Sequence, residues 1–203
     1  MNLAIKQYNT QILESIESYL KMFPSEISSL NRLKAQLEDK NTDLLRRDNF
    51  IGHLTGSSLF YNQKNNKVLL VHHRSLDIWI QPGGHIDPDE LPLTAALREF
   101  KEETKIEFVD IHPWHKKFNV PLDIDTHFIP ANPKKNEPEH YHHDFLYLVI
   151  EDKINPASQN LDVDLSASEL KAYKWIDLFE LQSGEFEPKL KRAASKVRNI
   201  ILK

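Results

Sequence analysis

Between Pro82 and Ile106 the chain reads PGGHIDPDELPLTAALREFKEETKI. The second half of this segment has a helical pattern. Pro92 suits a first turn, where a missing N–H costs little, and Leu93, Ala96, Leu97 and Phe100 recur at helical spacing as a stripe that faces a core. On the flank lie Glu99, Glu102 and Glu103, at i, i+3 and i+4, so three carboxylates converge on roughly a third of the circumference at ~3.6 residues per turn. Like charges at these spacings repel by about 0.2–0.5 kcal/mol per pair, and Lys101 and Lys105 project elsewhere on the wheel. A divalent cation turns that penalty into binding. Carboxylate oxygens are hard ligands, which favours Mg²⁺ or Mn²⁺ over zinc or copper. Upstream, Pro82, Gly83 and Gly84 allow a tight turn in which backbone approaches a ligand or metal, because glycine has no Cβ to block it.

With these residues in place, the segment resembles the Nudix box: Gly, five residues, Glu, seven residues, Arg-Glu, a bulky apolar residue, any residue, Glu-Glu, any residue, Gly, and an apolar residue. Here the pattern runs Gly84, Glu90, Arg98, Glu99, Phe100, Glu102, Glu103, with Lys105 at the final Gly position, then Ile106. A left-handed Lys would cost about 1 kcal/mol, so the loop after the helix is expected to take a different path. The resemblance covers about residues 50–181. It implies an α/β/α sandwich with a mixed β-sheet, and cleavage within the pyrophosphate of a nucleoside diphosphate linked to another moiety, with Mg²⁺ or Mn²⁺. It further implies that Glu102 and Glu103 are metal ligands, that Glu99 is a ligand or helps activate water, and that the Gly83 carbonyl adds an oxygen. Arg98 is expected to orient a glutamate by salt bridge. Glu90 is either a working box residue or a first-turn acid favoured by the helix dipole. The catalytic base does not transfer by motif. Two other readings share the fold: isomerisation of isopentenyl diphosphate, which resembles chemistry using a cysteine this chain lacks, and a noncatalytic ligand sensor, which would be expected to lose the box carboxylates.

The flanking chain fits one domain with an addition. Its 203 residues are 40% hydrophobic, enough for a core, and 26 basic against 30 acidic groups give a net charge of −4, which argues against bulk nucleic-acid binding. No cysteine is present, so disulfides and thiolate chemistry are excluded. The first twenty residues contain no continuous apolar run, so neither a signal peptide nor a membrane span is expected, and a cytoplasmic protein is. Residues 1–48 read as a helical hairpin: a helix from Leu3 to Phe23 with Tyr8, Ile12, Ile16, Tyr19 and Leu20 near one face, a stop at Pro24, and a second helix from Ser25 to about Asp39, followed by a short turn from Asn41 to Arg47. It is expected to pack on the domain, to form a homodimer surface, or to shape the substrate pocket. Residues 49–203 then form the Nudix domain. Ser57–Tyr61 and Val68–His72 read as a β-hairpin, Ile78–Ile80 as a third strand, Ile106–Ile111, Asp144–Ile150 and Ala172–Ile176 as later strands, and Pro188–Leu202 as a closing helix. Residues 112–138 read as a long irregular loop with at most a short strand near Val120, a setting common for function.

A second set of candidates lies downstream. His140, His142 and Asp144 alternate along a strand start, so all three point to one face, where imidazole could bind metal, carry a proton or meet phosphate. His143 adds to the local density. His53 and His85 are further candidates for lining a substrate pocket, His85 because it follows the glycine turn. A small-molecule diphosphate is the implied substrate. A homodimer is a further expectation for the helical hairpin, and neither a membrane nor bulk nucleic acid is an expected partner.

Overall fold

The structure is a computed structural model that describes residues 3–39, 42–152, 163–166 and 169–201. Its elements are α1 (Leu3–Met22), a 3-10 run (Pro24–Leu30), α2 (Asn31–Glu38), β1 (His53–Asn62), β2 (Lys67–His73), β3 (Ile78–Ile80), β4 (Gly83–His85), α3 (Pro92–Thr104), β5 (Val109–Ile111), α4 (Pro113–Phe118), β6 (Asp123–Ile129), a second 3-10 turn (Pro133–Lys135), β7 (His140–Glu151), β8 (Leu170–Asp177), α5 (Leu178–Ser183) and α6 (Pro188–Ile201).

β1 is the spine. It runs parallel to β7 from His53 opposite His142 to Phe60 opposite Val149, and antiparallel to β4, with Thr55 opposite His85 and Ser57 opposite Gly83. Its last residues form the expected hairpin with β2, Tyr61 opposite Val68, closed by Asn66 at φ 59°. β2 carries β3 and β8, and β7 carries β5 and β6, all antiparallel. The sheet is therefore mixed, as the resemblance implied. Every residue of β1 is buried, as a strand covered on both faces must be.

Alternate residues of this spine serve the two faces of the sheet. Leu54, Ile124 and Phe145 join Ala95 and Ala96 of α3 and Ile12, Ile16, Tyr19, Leu30, Leu33 and Leu37 of the N-terminal helices. Leu59, Leu146 and Leu148 face the other way, onto α5 and α6 through Leu181, Leu190 and Val197. Fully burying each such side chain is worth about 1.5–3 kcal/mol. Gly56 lets α3 lie directly on β1: a Cβ there would stand 2.3 Å from the Pro92 carbonyl oxygen and 2.9 Å from the Ala96 nitrogen, and backbone cannot yield to it.

Several boundaries differ from the expectation. The second N-terminal helix begins as a 3-10 run before α2. The anticipated turn over residues 41–47 appears only as turns at Leu44–Leu45 and Arg47–Asp48; Asn41, its first residue, lies outside the described residues, as does Leu202 at the end of α6. The strand expected from Ile106 forms only at Val109–Ile111, because Ile106 instead buries its side chain against Phe60 and Phe100. The largest correction concerns residues 112–138, which contain α4 and the seven-residue β6. Asp123, Asp125 and His127 alternate with Ile124, Thr126 and Phe128, and few of these residues are apolar. β6 owes its form to its antiparallel ladder with β7, a pairing that pattern alone does not reveal.

Candidate active site

α3 presents its acidic flank to β4. Gly84 faces Glu99 so closely that a Cβ would lie 2.5 Å from the carboxyl carbon, so a side chain there would displace the Glu99 carboxylate. The neighbouring Gly83 N–H donates to Glu103 Oε2 at 3.0 Å. Glu103 is 5% exposed. Burial pushes its carboxyl up to about 8, with the like charges of Glu99, Glu169 and Glu102 adding to the shift and the Gly83 N–H opposing it. Burial also raises Glu99, against the pull of Arg98. Glu102 stands at the exposed rim.

Arg98 braces this group. Its guanidinium donates to Glu90 at 3.0 Å, to Glu99 Oε1 at 2.8 Å, to Glu102 Oε2 at 3.3 Å and to the His85 carbonyl at 2.9 Å. One planar fork thus ties the start of the box to its acidic flank. Glu90 accepts from Arg98 and from the Asp87 N–H, which hold its carboxyl low although burial pushes the other way. Both its oxygens are committed, so its position is that of a strut.

Glu169 is a residue that sequence reasoning missed. The chain at residues 163–166 docks on the end of α3, with Asp164 N–H donating to the Thr104 carbonyl and Ser166 N–H to the Glu103 carbonyl, each at 3.1 Å. That docking brings the charge of Glu169 to bear on Glu99 and Glu103. No motif or spacing marks it, because it approaches only through tertiary packing.

The histidines form a second group. His53, His85, His140 and His142 come together from β1, β4 and β7, with ring centroids 4.7–5.2 Å apart among His53, His85 and His142, and His140 at 4.9 Å from His53. His127 of β6 joins at 5.7 Å from His142. Burial lowers His85 to about 3 and lowers His53 and His142 as well, neighbouring imidazoles adding to the effect, so these rings are neutral at pH 7. Asp144 shares their sheet face but is spent on structure. It accepts from Thr55 Oγ1 at 3.0 Å, Ser57 Oγ at 2.6 Å and Gln81 Nε2 at 3.1 Å. His143 points to the opposite face, where it bonds Thr126 Oγ1 and Gln36 Oε1. A groove of about 770 Å³ between α1 and α4 contains none of these carboxylates and none of the clustered imidazoles.

The family model described as NUDIX domain matches residues 53–197. The chain belongs to the Nudix family. Among curated relatives, it is 34% identical over 113 residues to "Probable DHNTP pyrophosphohydrolase" of Lactococcus lactis subsp. cremoris, a match covering 56% of this chain and 63% of that protein. It is 28% identical over 126 residues to "m7GpppN-mRNA hydrolase NUDT17" of Bos taurus, covering 60% of this chain and 40% of that one. The chain thus spans under two thirds of the length of these relatives. Among solved structures, a C. elegans Ap4A hydrolase binary complex superposes with a TM-score of 0.51 at 23% identity, over 73% of this chain and 97% of that one. The E. coli dihydroneopterin triphosphate pyrophosphohydrolase gives 0.51 at 16%, over 74% and 96%. These likenesses show a shared Nudix fold.

Against the Nudix pattern, Lys105 does not divert the chain. It takes the left-handed conformation, φ 58° and ψ 14°, and its N–H closes the helix onto the Lys101 carbonyl at 2.9 Å. The expected change of path is thereby corrected: the following Ile106 is anchored in the core, and an exposed lysine accepts the backbone cost. The donor set fits a hard divalent ion. Three carboxylates crowd one place, two of them with raised affinity for protons, and Arg98 is the side-chain cation shown bonded to them.

Proposed function

We propose that this Nudix chain is a divalent-cation-dependent pyrophosphohydrolase that cleaves a phosphoanhydride bond in a nucleoside diphosphate linked to another moiety, or in a related diphosphate compound. Glu99, Glu102 and Glu103 hold Mg²⁺ or Mn²⁺ together with the Gly83 carbonyl. Arg98 acts as the positioning residue that aims Glu99 and Glu102. When bound, the cation neutralises phosphoryl oxygens and lowers the pKa of an attacking water. The protein's own part is to fix the carboxylates and to shield them: Gly84 brings backbone against Glu99, and Gly83 N–H orients Glu103. His53, His85, His140 and His142 cluster beside β4, and Asp144 positions the strand that carries two of them. The observation that carries the reading is the crowding of Glu99, Glu102 and Glu103 on one flank of α3 against the Gly83–Gly84 turn, an arrangement of like charges that a cation stabilises.

The names of the relatives, a DHNTP pyrophosphohydrolase and an m7GpppN-mRNA hydrolase, support hydrolysis as the reaction and leave the substrate class open. Among the described residues, no helix is long and apolar enough to cross a membrane.

The test is turnover of a panel of diphosphate compounds with Mg²⁺ and with Mn²⁺, products identified by mass, alongside Glu102→Gln/Glu103→Gln. Cleavage between phosphates is expected in the parent, at least about 10³-fold slower in the variant. Undiminished turnover in the variant would remove these residues from the mechanism. Silence across the panel with the metal shown to bind would favour a ligand sensor.

A further inference from the structure

His53, His85 and His142 each offer a ring nitrogen within 4.8 Å of the other two, although they come from three different strands. Three rings of the wider histidine group are held from behind by hydrogen bonds. The Nδ1–H of His53 donates to the Asn49 carbonyl at 3.2 Å, that of His140 to the Pro138 carbonyl at 2.8 Å, and that of His127 to Asp125 Oδ2 at 3.0 Å. In each case the acceptor fixes the proton on Nδ1 and leaves Nε2 a lone pair, which is how metal-binding histidines are held from behind.

His53 supplies the deciding detail. The residue is 1% exposed, and its Nε2 has no hydrogen-bond partner. A buried lone pair without a donor is a cost that a folded protein rarely leaves standing. His140 Nε2 lies 3.2 Å from His142 Nε2. A hydrogen bond between those two imidazoles would satisfy that pair, yet it would leave His53 unmatched.

We propose that His53, His85 and His142 bind a transition cation of the zinc class through ring nitrogen. Neutral imidazole suits Zn²⁺, Co²⁺ or Ni²⁺ and suits Mg²⁺ poorly, so the ligand chemistry differs from that of the box. The two sites also lie on opposite faces of one strand. Gly84 faces Glu99, and the next residue, His85, projects the other way while its carbonyl is held by Arg98. Occupation of the nitrogen site therefore fixes the same short strand that carries Gly83 and Gly84.

The experiment is titration of the metal-stripped full chain with Co²⁺, followed by its visible absorption, and then with Zn²⁺. One equivalent is expected to give the spectrum of a low-coordinate, nitrogen-bound Co²⁺, displaced by Zn²⁺ and retained in excess Mg²⁺. Glu102→Gln/Glu103→Gln should keep that equivalent. His142→Ala and His85→Gln should weaken it by about 100-fold or more, since loss of a supporting contact alone costs 10–100-fold. Melting of the stripped variants in chelator confirms that they are folded, and His85→Gln, at a half-buried position, guards against collapse of His142→Ala. Absence of a tight equivalent in the parent would overturn the proposal, as would unchanged affinity in both folded histidine variants. Loss of the equivalent in the glutamine variant would assign the ion to the box and overturn it equally.

Discussion

Lys105 shows how much a single backbone conformation can tell. The residue ends α3 in the left-handed region, where a side chain is strained by roughly 1 kcal/mol relative to glycine. Lys105→Gly should therefore raise stability by about 0.5–1 kcal/mol, read as a shift in urea midpoint with unchanged slope; a lowered midpoint would show that the lysine makes a compensating contact. His115 offers a second residue-scale case. Its Nδ1 donates to the Val120 carbonyl at 2.7 Å and its Nε2 accepts from the Leu148 N–H at 2.8 Å, so the neutral ring is fully used and a second proton would face a donor. Burial lowers it from 6.5 to about 4. Between those values the unfolded chain binds the extra proton and the folded chain does not, so stability rises with pH across that window. It is complete above pH 6.5 and falls by about 1.4 kcal/mol per unit as pH drops toward 4. Comparing urea midpoints at pH 7.5 and pH 5, His115→Gln should lose less stability on acidification than the parent. An equal loss would place the sensitivity in other buried histidines.

At the scale of elements, α3 and β7 were readable because each carries its own signal. α3 has a helical apolar stripe with a fixed spacing of glutamates, and β7 has an unbroken apolar run from Phe145 to Ile150. β6 and the first four residues of β1 were not readable. His53, Leu54, Thr55 and Gly56 contain one large aliphatic residue and a glycine, yet they form strand because β7 and β4 flank them and use their backbone groups. This is why the strand start at His53 escaped the pattern, while the alternation of His140, His142 and Asp144 on one face did not. The face was legible, but its chemistry divided: imidazoles gathered, whereas Asp144 was taken by Thr55, Ser57 and Gln81.

For the whole molecule, the N-terminal helices are a wall of the sandwich. Ile12, Ile16, Tyr19, Leu30, Leu33 and Leu37 cover Leu54, Ile124 and Phe145, and at about 1.5–3 kcal/mol per buried side chain their sum is on the order of 10 kcal/mol, comparable with the entire stability of a domain. A buried ionic group reinforces the joint. Lys196 of α6 meets Asp123 at 2.5 Å and Glu26 at 2.8 Å, and Arg192 meets Asp123 at 2.6 Å, while Tyr19 shares its hydroxyl with Glu26 and Lys196. Removing residues 1–39 should therefore yield a chain that binds a hydrophobic dye and loses near-UV circular dichroism. A truncated chain as cooperative as the parent would show that the wall is dispensable. The sequence by itself determined the Nudix box, its helix and the crowding of three glutamates, because these depend on neighbours within a few turns of one helix. Only the tertiary structure decided that the charge of Glu169 acts on them, that four histidines from three strands share one place, and that the N-terminal helices close the sandwich. Those outcomes depend on pairings between residues far apart in the chain, which no local period encodes.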